Sequence, residues 1–447
     1  MSAAIAGLRA REILDSRGRP TVEAELTLSD GTAVTASVPS GASKGRHEAV
    51  ERRDGDADRY SGRGVLGAVA AVRDEIAPAL RGLRPDLAAV DARLCELDGT
   101  DDKSRLGANA TLAVSLATAR AAAALAGRPL WRHLAGDAQP LLPLPMVNIL
   151  SGGLHAGRQL DFQDFLVIPV GATSFSTALR MCAEVHESMR GELTRRGLST
   201  LKADEGGFGP ALETHEEALA LLDRATRGAR LEPGGDVVYA LDLAASHFFD
   251  ADAGTYGLRS EDRVLSAAEL TELIAELAGR YPIVSVEDIL AEDDWEGWSA
   301  FTARLGERMQ VVGDDLFATN LERVERGIRG AAANAVLVKM NQVGTLTETL
   351  AVVERARSAG WRVVVSARSG ETEDPALADL AVGTRAGQIK VGSVTQSERL
   401  AKYNRLLRIE EELGDDARFA GGAAVPRPLR SVEDGDARGP SAPGRSG

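Results

Sequence analysis

The chain has 447 residues, of which 26 % are charged and 44 % hydrophobic, and its formal net charge is −14. This length favours two domains, and the negative charge argues against nucleic acid or an anionic membrane as a partner. Only Cys95 and Cys182 are present, without a CxxC spacing, so we expect neither a disulfide framework nor a structural zinc site. Residues 1–11 lack an apolar segment of signal-peptide length, and residues 110–127 read as a buried helix. We therefore expect a cytoplasmic protein that does not contact membranes.

Residues 1–135 are predicted to form a smaller α+β domain. Residues 21–28 alternate apolar and polar side chains, Asp30 and Gly31 supply a turn, and residues 32–38 form a second strand. This pattern predicts an antiparallel hairpin with one solvated face. Helical periodicity follows at residues 66–82 and 108–127. The glycine-rich segment 40–45 is predicted to be a mobile loop.

From about residue 236, short β-branched runs alternate with helical stretches, which is typical of a parallel sheet buried on both faces. Polar residues stand at or just after the ends of these runs: Asp242, Glu287, Asp314, Lys339, Ser366 and Lys390. Polar groups collected at the carboxyl ends of parallel strands indicate a (β/α)8 barrel with its active site at that rim. We assign the barrel to residues 136–420. Residues 421–447 are almost devoid of apolar side chains and are predicted to be a disordered tail without a catalytic part.

Three carboxylates followed by two lysines and an arginine suggest a metal site that faces an anion site. At this point the motifs are specific enough to indicate a family, and the chain resembles the enolase (phosphopyruvate hydratase) family across residues 5–415. The matching runs include Ile13-Leu14-Asp15-Ser16-Arg17-Gly18, Asp204-Glu205-Gly206-Gly207-Phe208, Lys339-Met340-Asn341-Gln342 and Ser369-Gly370-Glu371-Thr372-Glu373-Asp374. The resemblance implies an α/β protein in which a small α+β domain precedes a modified (β/α)8 barrel, usually as a homodimer.

The resemblance also implies a magnesium-dependent hydro-lyase that acts on an anionic, phosphorus-containing small molecule. Asp242, Glu287 and Asp314 match the metal carboxylates of the family, and oxygen ligands suit Mg²⁺. Ser43 matches the loop residue that helps to bind a second ion, so two Mg²⁺ ions are expected. For any one strand-end acid a solvated surface position is the commoner case, but three in matching contexts favour a metal site.

The remaining matched positions would carry the proton transfers and the substrate contacts. Lys339 matches the general base, whose pKa we expect Lys390 and the metal ions to lower. Glu205 matches the acid that protonates the leaving hydroxide. The expected substrate contacts are Lys390 for the carboxylate, Arg368 and Ser369 for the phosphoryl group, and the loop histidine His155.

Several positions depart from the family pattern. Ala367 stands where enolases carry His, Asp164 where they carry Glu as a catalytic carboxylate, and Ser151 where they carry Asn. Lys44 and Arg158 add positive charge and are predicted as further substrate contacts, while Ile289 replaces Gly. We interpret these changes as a pocket for a larger or more anionic phosphorus substituent. The favoured substrate is then a carboxyphosphono-glycerate, which would give carboxyphosphonoenolpyruvate in phosphonate biosynthesis.

Two alternatives remain open. One is an ordinary glycolytic enolase that converts 2-phosphoglycerate to phosphoenolpyruvate. The other is an inactive enolase-fold binding protein. A binding protein would gain nothing from retaining a costly cluster of buried like charges, so the second alternative is the weaker.

Overall fold

The computed structural model describes residues 3–42 and 44–427. The N-terminal domain contains an antiparallel sheet in the order β1 (Ile5–Leu14), β2 (Pro20–Leu28) and β3 (Ala33–Ser37). The predicted hairpin corresponds to β2 and β3. Five helices follow: α1 (Leu66–Ala71), α2 (Ala77–Leu80), α3 (Leu87–Asp98), α4 (Ala108–Leu125) and α5 (Leu130–Ala135). The helix predicted over residues 66–82 is α1 and α2 joined by a wider turn at Val72–Ile76.

Helix α4 forms the centre of the N-terminal domain. It is long and apolar enough to cross a membrane, but 78 % of it is buried inside the protein. It packs on β2 and β3, and its many alanines allow the close approach of helix and sheet. Its composition is thus explained by a core position.

The second domain is a closed eight-stranded barrel, as the sequence predicts. Its strands are β4 (Leu144–Ser151), β5 (Asp164–Ile168), β6 (Val238–Asp242), β10 (Ile283–Glu287), β11 (Gln310–Gly313), β12 (Ala335–Val338), β13 (Arg362–Ser366) and β14 (Gly387–Gly392). Between β6 and β10 a small antiparallel sheet of β7 (Phe249–Asp250), β8 (Thr255–Leu258) and β9 (Arg263–Leu265) is inserted. The sequence patterns did not predict this insertion.

Eight helices surround the barrel: α6 (Phe175–Arg195), α7 (His215–Gly228), α8 (Ala267–Arg280), α9 (Trp295–Leu305), α10 (Leu321–Gly330), α11 (Leu346–Ser358), α12 (Ala376–Gly383) and α13 (Ser397–Leu413). Each of α6 to α11 begins after a short polar residue whose side chain accepts a hydrogen bond from a backbone N–H of the first turn. These caps satisfy donors that the helix itself leaves unpaired. Local sequence therefore determines where most of the outer helices begin.

Strand β5 runs antiparallel to both of its neighbours, β4 and β6, so the barrel is not wholly parallel. The reversal places the first residue of β5, Asp164, at the rim where the parallel strands end. Asp164 is in register with Ser151 on one side and with Asp242 on the other. One residue on a reversed strand thereby joins the polar rim.

The expectation of a disordered tail from residue 421 is wrong for its first residues. Gly421–Ala424 forms a helical turn, and Val425 is only 4 % exposed. Val425 lies in an apolar cluster with residues that point into the barrel, such as Leu144 and Ile168. The Gln388 side chain donates a hydrogen bond of 3.1 Å to the carbonyl of Ala424. Residues 421–427 are thus held by the burial of Val425, by the packing of Ala424 and by the hydrogen bond from Gln388. Residues 428–447 lie outside the described part of the chain.

We predict that a chain ending at Ala420 is less stable than one ending at Arg427. The shorter chain loses the buried side chain of Val425, which is worth about 2 kcal/mol of unfolding free energy. Thermal or urea unfolding of both truncated chains beside the full chain measures the difference. Equal stability of the two truncated chains would contradict the packing of residues 421–427.

Candidate active site

Three of the predicted carboxylates converge at the carboxyl rim of the barrel. Asp242 and Glu287 are the last residues of the paired strands β6 and β10 and lie in register, and Asp314 directly follows β11. The side chains of Asp242 and Glu287 are each 3 % exposed. The ammonium group of Lys390 donates bonds of 2.7 Å to both of them, and that of Lys339 contacts Asp314. Two ammonium groups thus face three carboxylates, which leaves one negative charge unbalanced among these five groups.

The unbalanced negative charge affects the protonation of Glu287 in particular. Burial, together with the neighbouring Asp242, raises the pKa of Glu287 well above its ordinary value. Its Oε1 atom is buried and has no hydrogen-bond partner among the described residues. At Asp242, burial is outweighed by the cations Lys390 and Lys339, and the net pKa is lowered. An orphaned carboxylate oxygen among three converging acids fits a divalent, oxygen-binding cation such as Mg²⁺.

A second layer of acids holds Asp314 in place. The two carboxylate oxygens of Asp288 accept backbone N–H bonds of 2.9 Å from Asp314 and Asp315. Ligand atoms of these three aspartates lie within 4.8 Å of one another. Burial and the adjacent carboxylates raise the pKa of both Asp288 and Asp315 well above the ordinary value. Sequence reasoning did not single out Asp288, although it directly follows Glu287.

Lys390 acts to lower the pKa of Lys339, as expected, but it does not decide the net value. Burial and Arg368 lower this pKa as well, and the carboxylates of Asp314 and Glu287 together outweigh all three, so the net pKa of Lys339 is raised. The pKa of Lys390 is likewise raised because Asp242 and Glu287 outweigh burial. Both lysines are therefore fully charged counterions of the acid cluster in this state.

His155, Asp164 and Glu205 form a separate buried cluster whose ligand atoms lie within 4.8 Å of one another. The His155 Nδ1 atom lies 3.4 Å from Asp164 Oδ2, and Nε2 lies 3.9 Å from Glu205 Oε1. Burial disfavours the imidazolium, but the two carboxylates outweigh it and raise the pKa of His155 to about 9. The pKa of Glu205 is lowered, since His155 and other cations exceed the effect of burial. At neutral pH the proton of this cluster therefore resides on the imidazole.

Two departures from the family pattern contact each other. The hydroxyl of Ser151 donates a hydrogen bond of 3.0 Å to Asp164 Oδ1, which also accepts from Asn148 Nδ2. Burial raises the pKa of Asp164, although His155 opposes the shift. The shorter carboxylate at 164 is thus matched by a small hydroxyl residue at 151 on the neighbouring strand.

Arg368 and Ser369 lie at the same rim, just after β13, and both are buried. The guanidinium group of Arg368 is bound by both carboxylate oxygens of Glu48, each at 3.0 Å, and by Asn341 Oδ1 at 2.9 Å. Ser369 Oγ accepts bonds from the backbone of Ala42 and from Arg17. These contacts hold Ala42 and Glu48 of the N-terminal domain against the predicted phosphoryl site.

The two added cations are placed differently. The ammonium of Lys44 lies 2.6 Å from Glu51 Oε2, so in this state it is paired within its own domain. Arg158 is exposed, with φ at +60°, and lines a cavity of about 80 Å³ together with His247 and Arg259. Ser43, the expected loop ligand of a second ion, lies outside the described residues.

The last two departures, Ala367 and Ile289, are both buried and belong to the apolar core. Ala367 offers no proton-accepting group where the family has an imidazole, and its backbone N–H bonds to the carbonyl of Lys390. Nothing in the structure explains either substitution.

Sequence reasoning missed three further side chains of the site, namely Glu48, Gln342 and Asp288. Gln342 ends the Lys339-Met340-Asn341-Gln342 run that carries the resemblance, and Glu48 follows the predicted mobile loop. For Gln342 and Glu48, the position beside a recognised sequence segment was the only signal in the sequence. What they contact depends on the fold, because Glu48 and Arg368 are 320 residues apart in the chain.

The comparisons with known proteins agree with this geometry. The model "Enolase, N-terminal domain" matches residues 5–134, and "Enolase, C-terminal TIM barrel domain" matches residues 139–427. A protein named Enolase from Acidothermus cellulolyticus is 55 % identical over 426 residues, which covers 95 % of this chain and 98 % of that protein. This identity favours the ordinary alternative, and none of the comparisons supports the expected phosphonate-pathway paralogue. The chain belongs to the enolase family.

Proposed function

We propose that this protein is a magnesium-dependent hydro-lyase that dehydrates 2-phosphoglycerate to phosphoenolpyruvate. The proposal is carried by the buried acid cluster of Asp242, Glu287 and Asp314. Lys339 contacts Asp314 in this cluster, and the pair of His155 and Glu205 lies nearby. Asp164 of the histidine cluster pairs in register with Asp242 of the acid cluster, so the two groups lie side by side at one rim.

In the proposed reaction the neutral amine of Lys339 removes the proton from the carbon beside the substrate carboxylate. Mg²⁺ held by Asp314 would offset the carboxylate that raises the pKa of Lys339, so that the lysine can lose its own proton first. The substrate carbon is a very weak acid, and its ionisation adds charge to the substrate carboxylate. Bound at Asp242, Glu287 and Asp314, Mg²⁺ would supply the positive charge that offsets this development. Lys390 contributes a further fixed cation, and Arg368 with Ser369 binds the phosphoryl oxygens, for which a guanidinium fork is well suited.

The leaving hydroxide requires a proton, and the cluster of His155, Asp164 and Glu205 holds one. Because the pKa of His155 is raised to about 9 and that of Glu205 is lowered, the proton starts on the imidazole. The imidazole, whose Nε2 lies 3.9 Å from Glu205 Oε1, passes its proton to Glu205, and Glu205, the predicted donor, delivers it to the leaving hydroxide. The Asp164 carboxylate, whose Oδ2 atom lies 3.4 Å from His155 Nδ1, stabilises the positive charge of the imidazole.

The contact between Ser151 and Asp164 supports the phosphate substrate rather than a larger one. Had both residues been shortened to admit an extra group, their side chains would be expected to leave space. They instead hydrogen-bond to each other at 3.0 Å and are each at most 3 % exposed. Lys44, which would meet an additional carboxylate, is engaged by Glu51.

The family also leads us to propose a homodimer acting in the cytoplasm. A groove of about 580 Å³ beside β1, lined by Leu14, Glu23, Arg120 and Glu373 among others, offers one candidate face for the second copy.

Comparison of two substrates tests the proposed reaction. We expect kcat/KM for 2-phosphoglycerate to exceed that for its carboxyphosphono analogue by about tenfold or more, because a substrate misplaced by about 1 Å can lose ~10²-fold. The Ala367→His, Asp164→Glu double variant carries the family's residues at both positions, and the same two kcat/KM values are measured for it as the reference. A preference of the wild type for the analogue, reversed in the double variant, would contradict the proposal.

The histidine cluster predicts how stability depends on pH. Folding raises the pKa of His155 from 6.5 to about 9, so the stabilisation is complete below pH 6.5 and is lost as pH rises through 9. Melting temperatures from pH 6.5 to 9.5 should therefore fall more steeply in the wild type than in His155→Asn. His133→Asn is the control, since burial lowers the pKa of His133 and so moves its titration away from this window. Parallel slopes in wild type and His155→Asn would contradict the raised pKa.

A further inference from the structure

Glu48 makes a two-bond contact to the predicted phosphoryl-binding arginine. Its Oε2 and Oε1 atoms each accept a bond of 3.0 Å, from the NH1 and NH2 groups of Arg368 respectively. The two side chains are 5 % and 3 % exposed. Paired parallel bonds between a carboxylate and a guanidinium group fix the plane of the guanidinium as well as its position.

Glu48 also reaches the acid cluster through one buried amide. Gln342 Nε2 donates to Glu48 Oε1 at 3.4 Å and to Asp314 Oδ1 at 2.8 Å. Its Oε1 atom accepts from the hydroxyl of Thr319, which in turn accepts the backbone N–H of Lys339 at 2.9 Å. Gln342 is 1 % exposed. Arg368, Asp314 and the backbone of the predicted base are therefore joined by a single hydrogen-bonded network.

The loop that carries Glu48 has other anchors that do not touch this network. Arg46 donates to Glu292 from its backbone and its side chain, at 2.9 and 2.6 Å. Lys44 pairs with Glu51. Glu48 Oε1 also accepts the backbone N–H of Gly45 at 3.2 Å, so Glu48 and Glu292 both help to hold residues 44–48. Of the two carboxylates, only Glu48 makes contacts that lead on to Arg368 and Asp314. This difference separates a role in fastening the loop from a role in the reaction.

We propose that Glu48 is a positioning residue for the reaction. It orients the Arg368 guanidinium for the phosphoryl oxygens. Through Gln342 it also holds that guanidinium at a fixed position relative to Asp314 and Lys339. This inference rests on the proposed function, since it takes the anion at Arg368 to be the phosphoryl group of the substrate. Glu48 also balances the charge of Arg368 while no substrate is bound, so its negative charge opposes the binding of any anion there.

These two effects of Glu48 have opposite consequences when its charge is removed. In Glu48→Gln the guanidinium loses its paired acceptor, so turnover should fall by about tenfold or more, as expected for a misplaced substrate group. The same variant no longer repels an anion, so inorganic phosphate should bind at least as tightly as to the wild type. A side chain that only fastened the loop would lower both quantities together.

The experiment measures kcat and KM for 2-phosphoglycerate and the Kd of inorganic phosphate by calorimetry, at one Mg²⁺ concentration, with melting temperatures recorded for each protein. Glu292→Gln is the matched control, because it removes the same charge from the other anchor of the loop, and its kcat should stay within about threefold of the wild type. Glu48→Asp keeps the charge but cannot reach both nitrogens. Glu48→Asp should lose turnover without a gain in phosphate affinity. It replaces Glu48→Gln as the test variant if Glu48→Gln does not fold.

Loss of kcat in Glu48→Gln with unchanged or tighter phosphate binding supports the inference. A kcat within about threefold of the wild type, weaker phosphate binding, or an equal loss in Glu292→Gln would each overturn it. If Glu48→Gln and Gln342→Leu together cost the product of their separate costs, the link through Gln342 is overturned; a smaller joint cost supports it. A wild type inactive on 2-phosphoglycerate would count against the proposed function alone, and the phosphate affinities would then decide the inference.

Discussion

The central constraint on this structure is the burial of three carboxylates next to one another with little access to solvent. Asp242, Glu287 and Asp314 are buried at one end of the barrel, and buried like charges repel strongly and are poorly solvated. Lys390 and Lys339 offset part of this cost by direct contacts. The remaining imbalance falls on Glu287, whose raised pKa and unpaired oxygen indicate the place for a dication.

The topology of the barrel supplies these groups because strand ends meet at one rim. Asp242 and Glu287 face each other through strand register alone, and the reversal of β5 brings Asp164 to the same rim. The site consequently has an acid cluster with two lysines and, beside it, a histidine cluster that stores a proton. The N-terminal domain contributes Glu48 from its loop, so neither domain completes the site by itself.

Local periodicity in the sequence was enough to predict the barrel and the first hairpin. Buried β-branched runs ending on Asp242, Glu287 and Lys339 identified the barrel and its rim, and the alternation in residues 21–28 identified the hairpin. The direction of β5 could not be predicted, since a short apolar strand reads alike in both directions.

The contacts of Glu48, the pairing of Ser151 with Asp164 and the burial of Val425 also escaped prediction. They join residues that are apart in the chain, or depend on how a short terminal segment packs on the barrel. Ser151 and Asp164 were interpreted as two independent changes that enlarge the pocket. In the structure they contact each other, so one change compensates for the other.

Calorimetric titration with Mg²⁺ tests the role of the acid cluster most directly. We predict that the wild-type protein binds Mg²⁺ and that Asp242→Asn loses about tenfold or more of the affinity, since one charged oxygen ligand is removed. Asp415→Asn, which changes an exposed acid far along the chain, should bind as the wild type does. Equal affinity in the wild type and Asp242→Asn would contradict the assignment of the buried carboxylates as the metal site.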